Sequence, residues 1–490
     1  MADRTRSLAI LLAVQGGALP APPRRAPQKP ARKRAGGVEP PPHRAFLARV
    51  RAQVTVLALA LAIAGTAAAP AHAGGFGRPN ILGAGAVGMG GAFAAIADDA
   101  TAIHHNPAGL ALIAPTNVLL DFDIVVPQRE YQPAGCSVTA PMLPACAAGT
   151  TTRRVESELT TTHLAPALAF STRFAGAGGD DASRLAVGIG VFYTYGSSIQ
   201  FSDRTAQSDR PDVKKLSISL LEIVPAVAYQ ASDVLSVGVG LRIGVGLFDL
   251  NAPALNSYPT LDPGGRPYNF ATADGSGVSA GGSLGVMLRP VSWLTVGTTY
   301  RTALKVSASG TLHVDYRLPP RADQGTTVDL PFPQQATLGV AVRPLARLRL
   351  SAQVDWTNWA AFNQLSLSAA PSSYDVRLDL KDTWTAHLGG DYLLGQRAVV
   401  RAGYSYDSGA VPAVAADRYL IDMPKHTVAA GAGFALTKSL RLDAAFEVLF
   451  ASETTVAPSP ASTPVLVQNP APGTYRGTSY QGLVTAQYRY

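Results

Sequence analysis

The chain has 490 residues, with 41 Lys+Arg against 33 Asp+Glu and a net charge of +8. That excess lies in residues 1–73, which hold eleven basic and two acidic residues; 74–490 hold thirty and thirty-one, which excludes charge-driven nucleic-acid binding by the body. With 15% charged and 47% apolar residues, and no apolar run of roughly 18 residues outside the leader, soluble surfaces, disorder and spanning helices are disfavoured, leaving a membrane β-barrel.

The first element is a leader. Arg44, Arg49 and Arg51 precede an apolar stretch from Val54 to Ala64, and Ala71-His72-Ala73 puts small residues at the two positions a signal peptidase reads. Cleavage is expected after Ala73; the apolar core is short for a membrane anchor and ends in a cleavage-like sequence. Residues 1–43 are rich in Arg and Pro and fit no ordinary signal, which points to a start codon assigned too far upstream.

Residues 74–115 lack a period of two. They carry Gly83, Gly85, Gly88, Gly90 and Gly91, then Asp98-Asp99, His104-His105 and Asn106-Pro107-Ala108. Glycines let backbone pack closely in a crowded space, Asp98 and Asp99 suit the capping of backbone N–H groups, and Asn-Pro makes a fixed turn. Gly83–Gly88 fits the dinucleotide fingerprint G-x-G-x-x-G, but that mechanism needs a buried strand before it and a helix after it, and Gly-Gly-Phe-Gly-Arg-Pro upstream is no strand. His104 and His105 are expected on extended chain, pointing apart, as polar surface and not as metal ligands.

Cys136 and Cys146 follow, in a loop rich in Pro, Gly and Ala. In an exported chain a structural disulfide is expected, since no His or further Cys lies close enough to complete a metal site.

The strands then read by alternation. Leu235, Val237, Val239, Leu241, Ile243, Val245 and Leu247 are all large aliphatics, and the intervening residues are Ser, Gly and Arg242. Leu440 to Phe450 repeats the pattern with Arg441, Asp443 and Glu447 on the opposite face, and Val400 to Tyr406 with Arg401 and Asp407. Short connections near 175–183, 230–233, 289–293, 343–346, 394–396 and 437–439 alternate with long ones at 129–153, 196–213, 249–275, 313–330, 369–382, 409–422 and 453–476. This predicts about fourteen strands with both ends on the short-turn, periplasmic side. Trp293, Trp356, Trp359 and Trp384 are expected in an aromatic girdle. Gly277-Val-Ser279-Ala-Gly281 matches the nucleophile elbow G-x-S-x-G, with His313, His387 and His426 downstream, but the chain continues as an alternating strand and not as a helix. The terminal Tyr490 on an alternating strand resembles the signal by which the barrel-assembly machinery recognises outer-membrane barrels.

Three motifs carry a resemblance. Ala97-Asp98-Asp99-Ala100 and Asn106-Pro107-Ala108 after the glycine-rich stretch, Val354-Asp355-Trp356 with Trp359 and Phe362, and Asp382 and Trp384 with Gly389–Tyr392 and Arg401–Asp407 together resemble the FadL/TodX (OmpP1-type) family of outer-membrane transporters for long-chain fatty acids and other hydrophobic compounds. The resemblance implies an all-β, antiparallel transmembrane barrel of about fourteen strands over residues 116–490, with residues 74–115 as a hatch inside the lumen. It implies passive uptake of a hydrophobic ligand, such as a fatty acid or hydrocarbon, through a lateral path at a kinked third strand into the membrane, with no cofactor or catalysis, in a monomer surrounded by outer-membrane lipid. The hatch motif then comprises Gly90, Gly91, Asp98, Asp99, Asn106, Pro107 and Ala108, and Gly188 and Gly190 are the candidates for the kink. Leu255, Tyr258 and Phe270 are candidates for an apolar capture surface. Arg242 and Arg401 face the lumen, where they either meet a carboxylate headgroup or pair with acids such as Asp443 and Glu447. The rival functions are a related barrel that hands over exported proteins and an outer-membrane esterase using Ser279.

Overall fold

The computed structural model describes residues 81–113, 115–133, 162–174, 184–200, 215–253, 270–315, 322–369, 372–412, 422–456 and 473–490. The leader, Cys136, Cys146, Leu255 and Tyr258 lie outside these residues, and of Phe270 only the backbone is described, as the first residue of a strand.

The barrel strands are β1 (Thr116–Pro133), β2 (His163–Arg173), β3 (Leu185–Gln200), β4 (Lys215–Gln230), β5 (Leu235–Pro253) and β6 (Phe270–Val291). Four strands follow that are each interrupted once: β7 (Leu294–Arg301 and Leu304–Asp315), β8 (Gln324–Phe332 and Gln335–Leu345), β9 (Leu348–Thr357 and Gln364–Ala369) and β10 (Ser372–Arg377 and Thr383–Leu394). The last are β11 (Ala398–Asp407), β12 (Lys425–Ala435), β13 (Leu440–Val456) and β14 (Gly473–Arg489). Eighteen ladder segments therefore make fourteen strands. Each pairs antiparallel with its neighbours, and β1 pairs with β14 from Asn117↔Arg489 to Pro133↔Gly473, which closes the sheet and removes its edges.

The alternation of β5 works out as a two-faced wall. Val239 and Leu241 are exposed on the outer face, whereas Gly238, Gly240 and Arg242 are buried inside. On the outer face, Trp384, Tyr300, Tyr404, Tyr406 and Phe450 form a band toward the long-loop end, and Trp293, Tyr392 and Tyr488 mark the short-turn end. Trp359 does not belong to this girdle. It starts a 3-10 turn (Trp359–Phe362) that interrupts β9 and turns it into the lumen, where it is 2% exposed.

The strands also run further outward than their hydropathy suggests. Segments 270–275, 324–330 and 372–377 were expected within connections and are strand. Their outer face no longer needs to be apolar beyond the lipid band: Thr272, Asp274 and Ser276 are exposed there, so the alternating signal fades while the ladder continues.

The lumen is filled in two halves. Toward the short-turn end, residues 81–113 fold inside the barrel as a helical turn (Ala84–Val87), a second turn (Ala102–His105) and a 3-10 helix (Pro107–Leu112), almost entirely buried. Toward the long-loop end the wall itself supplies an apolar core, including Leu220, Phe248, Leu304, Leu330, Trp359 and Phe362.

Candidate functional site

The hatch is bonded to the wall at β14 and β1 and at β6, β7, β9 and β10. Gly83 N–H donates to Asp121 on β1 at 3.2 Å and Ala84 N–H to Thr485 on β14 at 2.8 Å. Phe93 and Ala94 donate to Gln353 on β9, and Asp98 pairs with Arg349 on the same strand at 2.8 Å. Thr299 and Arg301 of β7 donate to the carbonyl oxygens of His105 and His104 at 2.9 and 3.2 Å. His387 of β10 meets the Gly90 carbonyl oxygen at 2.6 Å through Nδ1 and Asp355 at 3.1 Å through Nε2. Each such bond contributes about 1 kcal/mol net, and lifting the hatch out whole would break them together.

The motif residues have local reasons. Gly90 and Gly91 have φ of +62° and +89°, and a Cβ on Gly90 would lie 2.6 Å from the Tyr404 backbone nitrogen. Asp99 Oδ1 accepts from the Thr101 N–H and hydroxyl at 2.8 and 2.5 Å. Burial, and then the neighbouring Asp98 charge, push the Asp99 pKa up to about 6. Asn106 caps the 3-10 helix, accepting from Ala108 N–H at 3.2 Å while its amide donates to the carbonyls of Ala94 and, on β6, Val286. Pro107 sits at the helix start, where its missing N–H costs nothing, and Ala108 is fully buried.

His104 and His105 are in a helical turn and not on extended chain as expected. Their rings are 5.0 Å apart, edge to face. The Arg301 guanidinium donates to His104 Nδ1 at 2.6 Å, and His105 Nε2 donates to the Leu82 carbonyl at 2.9 Å. Burial lowers the His105 pKa to about 4. With Gln353, Asp355 and His387, these groups line a small polar cavity between hatch and wall.

β3 is irregular without being interrupted. Its register against β4 shifts by one residue between Tyr193 and Tyr195, a β-bulge that turns four consecutive side chains to buried positions. Phe192 packs on the hatch, its ring 5.9 Å from that of His104. Tyr193 joins Val125, Ala165 and Leu221 in a small apolar cluster. The Thr194 hydroxyl donates to Glu222 at 2.5 Å, and Tyr195 contacts Trp359 and Phe332 across the lumen. The bulge lies beyond the two glycines singled out in the sequence. Gly188 faces Ile103 of the hatch, and Gly190 leaves the space that the Phe192 ring fills, 2.1 Å from where a Cβ would stand.

The bulge accompanies a gap in the ladder. β2 and β3 pair only from Arg173↔Ala186 to Leu168↔Val191. Beyond that level β2 keeps β1 as its partner as far as His163, and β3 keeps β4 as far as Gln200. The apolar cluster of Val125, Ala165, Tyr193 and Leu221 stands at this parting of the wall.

The two candidate headgroup arginines both have protein partners. Arg401 pairs with Asp443 at 2.7 Å, as one of the two alternatives had it. Arg242 pairs not with Asp443 or Glu447 but with Glu222, through Nε and Nη2 at 2.7 Å each, and donates to the Thr302 carbonyl. Arg301 holds the same carboxylate at 2.9 and 3.0 Å, giving a buried Arg–Glu–Arg triad. Sequence reading missed Glu222, Arg301, Phe192 and Tyr195. A lone acid within Leu220-Leu221-Glu222-Ile223-Val224 and the non-alternating Phe192-Tyr193-Thr194-Tyr195 were the available signals.

The nucleophile elbow does not form. Ser279 lies within the long strand β6, opposite Gly244, with no strand-to-helix turn. The histidines do not converge on it: His387 is buried against the hatch, His426 lies on the outer face against Tyr404, and His313 pairs with Asp323 at an exposed site.

A sequence profile for outer membrane protein transport proteins (OMPP1/FadL/TodX) matches residues 64–490. The chain belongs to this family. It is accordingly a β-barrel of the bacterial outer membrane, in a family of transport channels for hydrophobic compounds. A Pseudomonas aeruginosa FadL homologue has the same fold at 19% identity and a TM-score of 0.70, over 85% of this chain and 99% of that one. The toluene transporter TodX of P. putida aligns at 16% identity and a TM-score of 0.61 over 85% and 99%, and the toluene transporter TbuX of Ralstonia pickettii at 17% and 0.59 over 84% and 98%. No curated protein sequence matches the chain.

Proposed function

We propose that this barrel takes up hydrophobic small molecules, long-chain fatty acids or hydrocarbons, passively, and releases them sideways through the parting between β2 and β3. The observation that carries the reading is the apolar gap itself. The ladder between these strands stops at Leu168↔Val191, and Val125, Ala165, Tyr193 and Leu221 line the wall where it does. A molecule that has left water for the apolar upper lumen meets this apolar cluster at the parting before it reaches lipid.

The bonded hatch supports a lateral exit. A path straight through the lumen requires the hatch–wall hydrogen bonds to break, whereas the sideways path requires that Phe192 and its neighbours move off the hatch face. No step calls for a cofactor or a covalent intermediate, and Ser279 has no part in it. In this reading Arg242 and Arg401, bonded to Glu222 and Asp443, hold the wall together and do not meet a headgroup.

The test is uptake by cells that depend on this protein for entry of radiolabelled oleate, hexadecane or toluene. Saturable entry of at least one, lost without the barrel, is the expected result. No entry of any, with an exported protein co-purifying instead, would overturn the reading in favour of protein handover.

A further inference from the structure

We propose that the Tyr195–Trp359 ring contact is an inner constriction that selects ligands by cross-section before they reach the β2–β3 gap. The inference rests on the transport reading above and assigns it a selectivity element. β3 and β9 are six places apart in a ring of fourteen, nearly opposite walls of the barrel. A round barrel of this strand number is roughly 28 Å across between Cα positions, too wide for two side chains to meet. They meet here because β9 leaves the wall.

Between Thr357 and Gln364 the ladder is replaced by the 3-10 turn, and the pairing sum with β8 changes: Gln335 faces Thr357, but Asp329 faces Ser366, so β9 carries three extra residues. That slack projects Trp359 and Phe362 inward, stacked at 6.2 Å. Trp359 meets Tyr195 edge to face at 5.7 Å, and Tyr195 meets Phe332 at 5.7 Å. The rings, themselves part of the long-loop-side apolar core, therefore bridge the lumen where that core approaches the level of the gap.

The step is anchored from outside. Asp382, in the interruption of β10, accepts from the Trp356 indole at 3.1 Å, the Asn358 amide at 2.8 Å and the Ala360 N–H at 3.1 Å. Three bonds to one carboxylate fix the start of the turn, so the Trp359 indole is presented by rigid backbone. Tyr195 stands on the β3 bulge, two residues beyond Tyr193 at the gap, so a ligand that displaces the Tyr195 ring disturbs the strand segment that borders the exit. Ring edges pass a slender alkyl chain more readily than a fused aromatic body.

The experiment compares uptake of oleate with that of a pyrene-labelled fatty acid of equal chain length, in wild type, Trp359→Ala, Trp359→Phe and Tyr195→Ala, each checked for heat-modifiable migration as folded barrel. Trp359→Ala and Tyr195→Ala are expected to raise the pyrene-to-oleate ratio about tenfold, with Trp359→Phe between them and wild type. An unchanged ratio in folded variants, including an equal loss of both probes, would overturn the constriction. If Trp359→Ala does not fold, Tyr195→Ala, which leaves the β9 turn intact, decides. Uptake of neither probe by wild type would instead refute the transport reading for these ligands, and the constriction with it.

Discussion

Gln353 holds the backbone of Phe93: its side-chain oxygen accepts the Phe93 N–H at 3.0 Å, and the Ala94 N–H at 2.8 Å. One wall residue thus receives two consecutive donors of the hatch, of which the Phe93 N–H also reaches the Gly91 carbonyl at 2.8 Å. Gln353→Leu leaves the Ala94 N–H buried and unpaired, at about 1–3 kcal/mol, and leaves the Phe93 N–H with the Gly91 carbonyl alone. The expected outcome is a loosened hatch, read as a rise in single-channel ion conductance in planar bilayers, with barrel folding retained. Conductance equal to wild type would contradict this role.

Gly403 on β11 lies where the hatch backbone touches the wall. A Cβ there would stand 2.1 Å from Gly90 N and 2.2 Å from the Met89 carbonyl carbon. Backbone on both sides leaves nothing flexible to give way, so Gly403→Ala is expected to displace the hatch. Increased sensitivity of cells to large antibiotics that the outer membrane normally excludes is the measurement. Gly482→Ala, where no atom lies within 4 Å, is the control and should behave as wild type.

Glu222 sits between Arg242 and Arg301 and also receives the Thr194 hydroxyl. Glu222→Gln keeps the shape but leaves two buried guanidinium groups without a counter-charge, a loss of roughly 3–5 kcal/mol. The expected result is a markedly lower melting temperature in detergent, together with weaker ordering of the β3 bulge by hydrogen exchange at 192–195. A melting temperature within a degree or so of wild type would show the triad to be energetically neutral.

Acidification acts on the hatch through two groups of opposite sign. The Asp99 pKa is raised to about 6, so the folded state binds its proton more tightly than the unfolded chain and gains stability as pH falls from above 6 to below 4. The His105 pKa is lowered to about 4, so its contribution is complete above its ordinary value of 6.5 and is lost as pH falls from there toward 4. Each is worth roughly 2–3 kcal/mol, so the two largely offset each other over this window. Relative to wild type, Asp99→Asn should lose stability on acidification from pH 7 to 4.5, and His105→Asn should gain it. Parallel profiles for all three proteins would refute the assignment.

Much of this was legible from residue order. The strict alternation from Leu235 to Leu247 and from Leu440 to Phe450 named the lipid and lumen faces correctly, because a period of two leaves only one choice of face per residue. Alternation does not say which neighbour a lumen residue meets. Arg242 was readable as inward, but its pairing with Glu222 and Arg301 depends on the registers of β4, β5 and β7 together. Trp359 was misread because a 3-10 turn inside a strand cancels alternation locally, and His104-His105 because four residues of helix leave no periodic signal. The bulge at Tyr193–Tyr195 was betrayed only by four non-alternating residues, too short a run to distinguish from a strand end.

The central claim is that ligands leave through the parting of β2 and β3, and the most direct test is uptake by a variant lacking Thr194. The β3 register against β4 shifts by one residue there, so deleting that residue restores a continuous ladder and straightens the strand. The account predicts a folded, heat-modifiable barrel whose uptake of oleate, hexadecane or toluene, whichever the wild type carries, falls to the level of cells without the protein. Uptake at the wild-type rate through a barrel with a straightened third strand would contradict it.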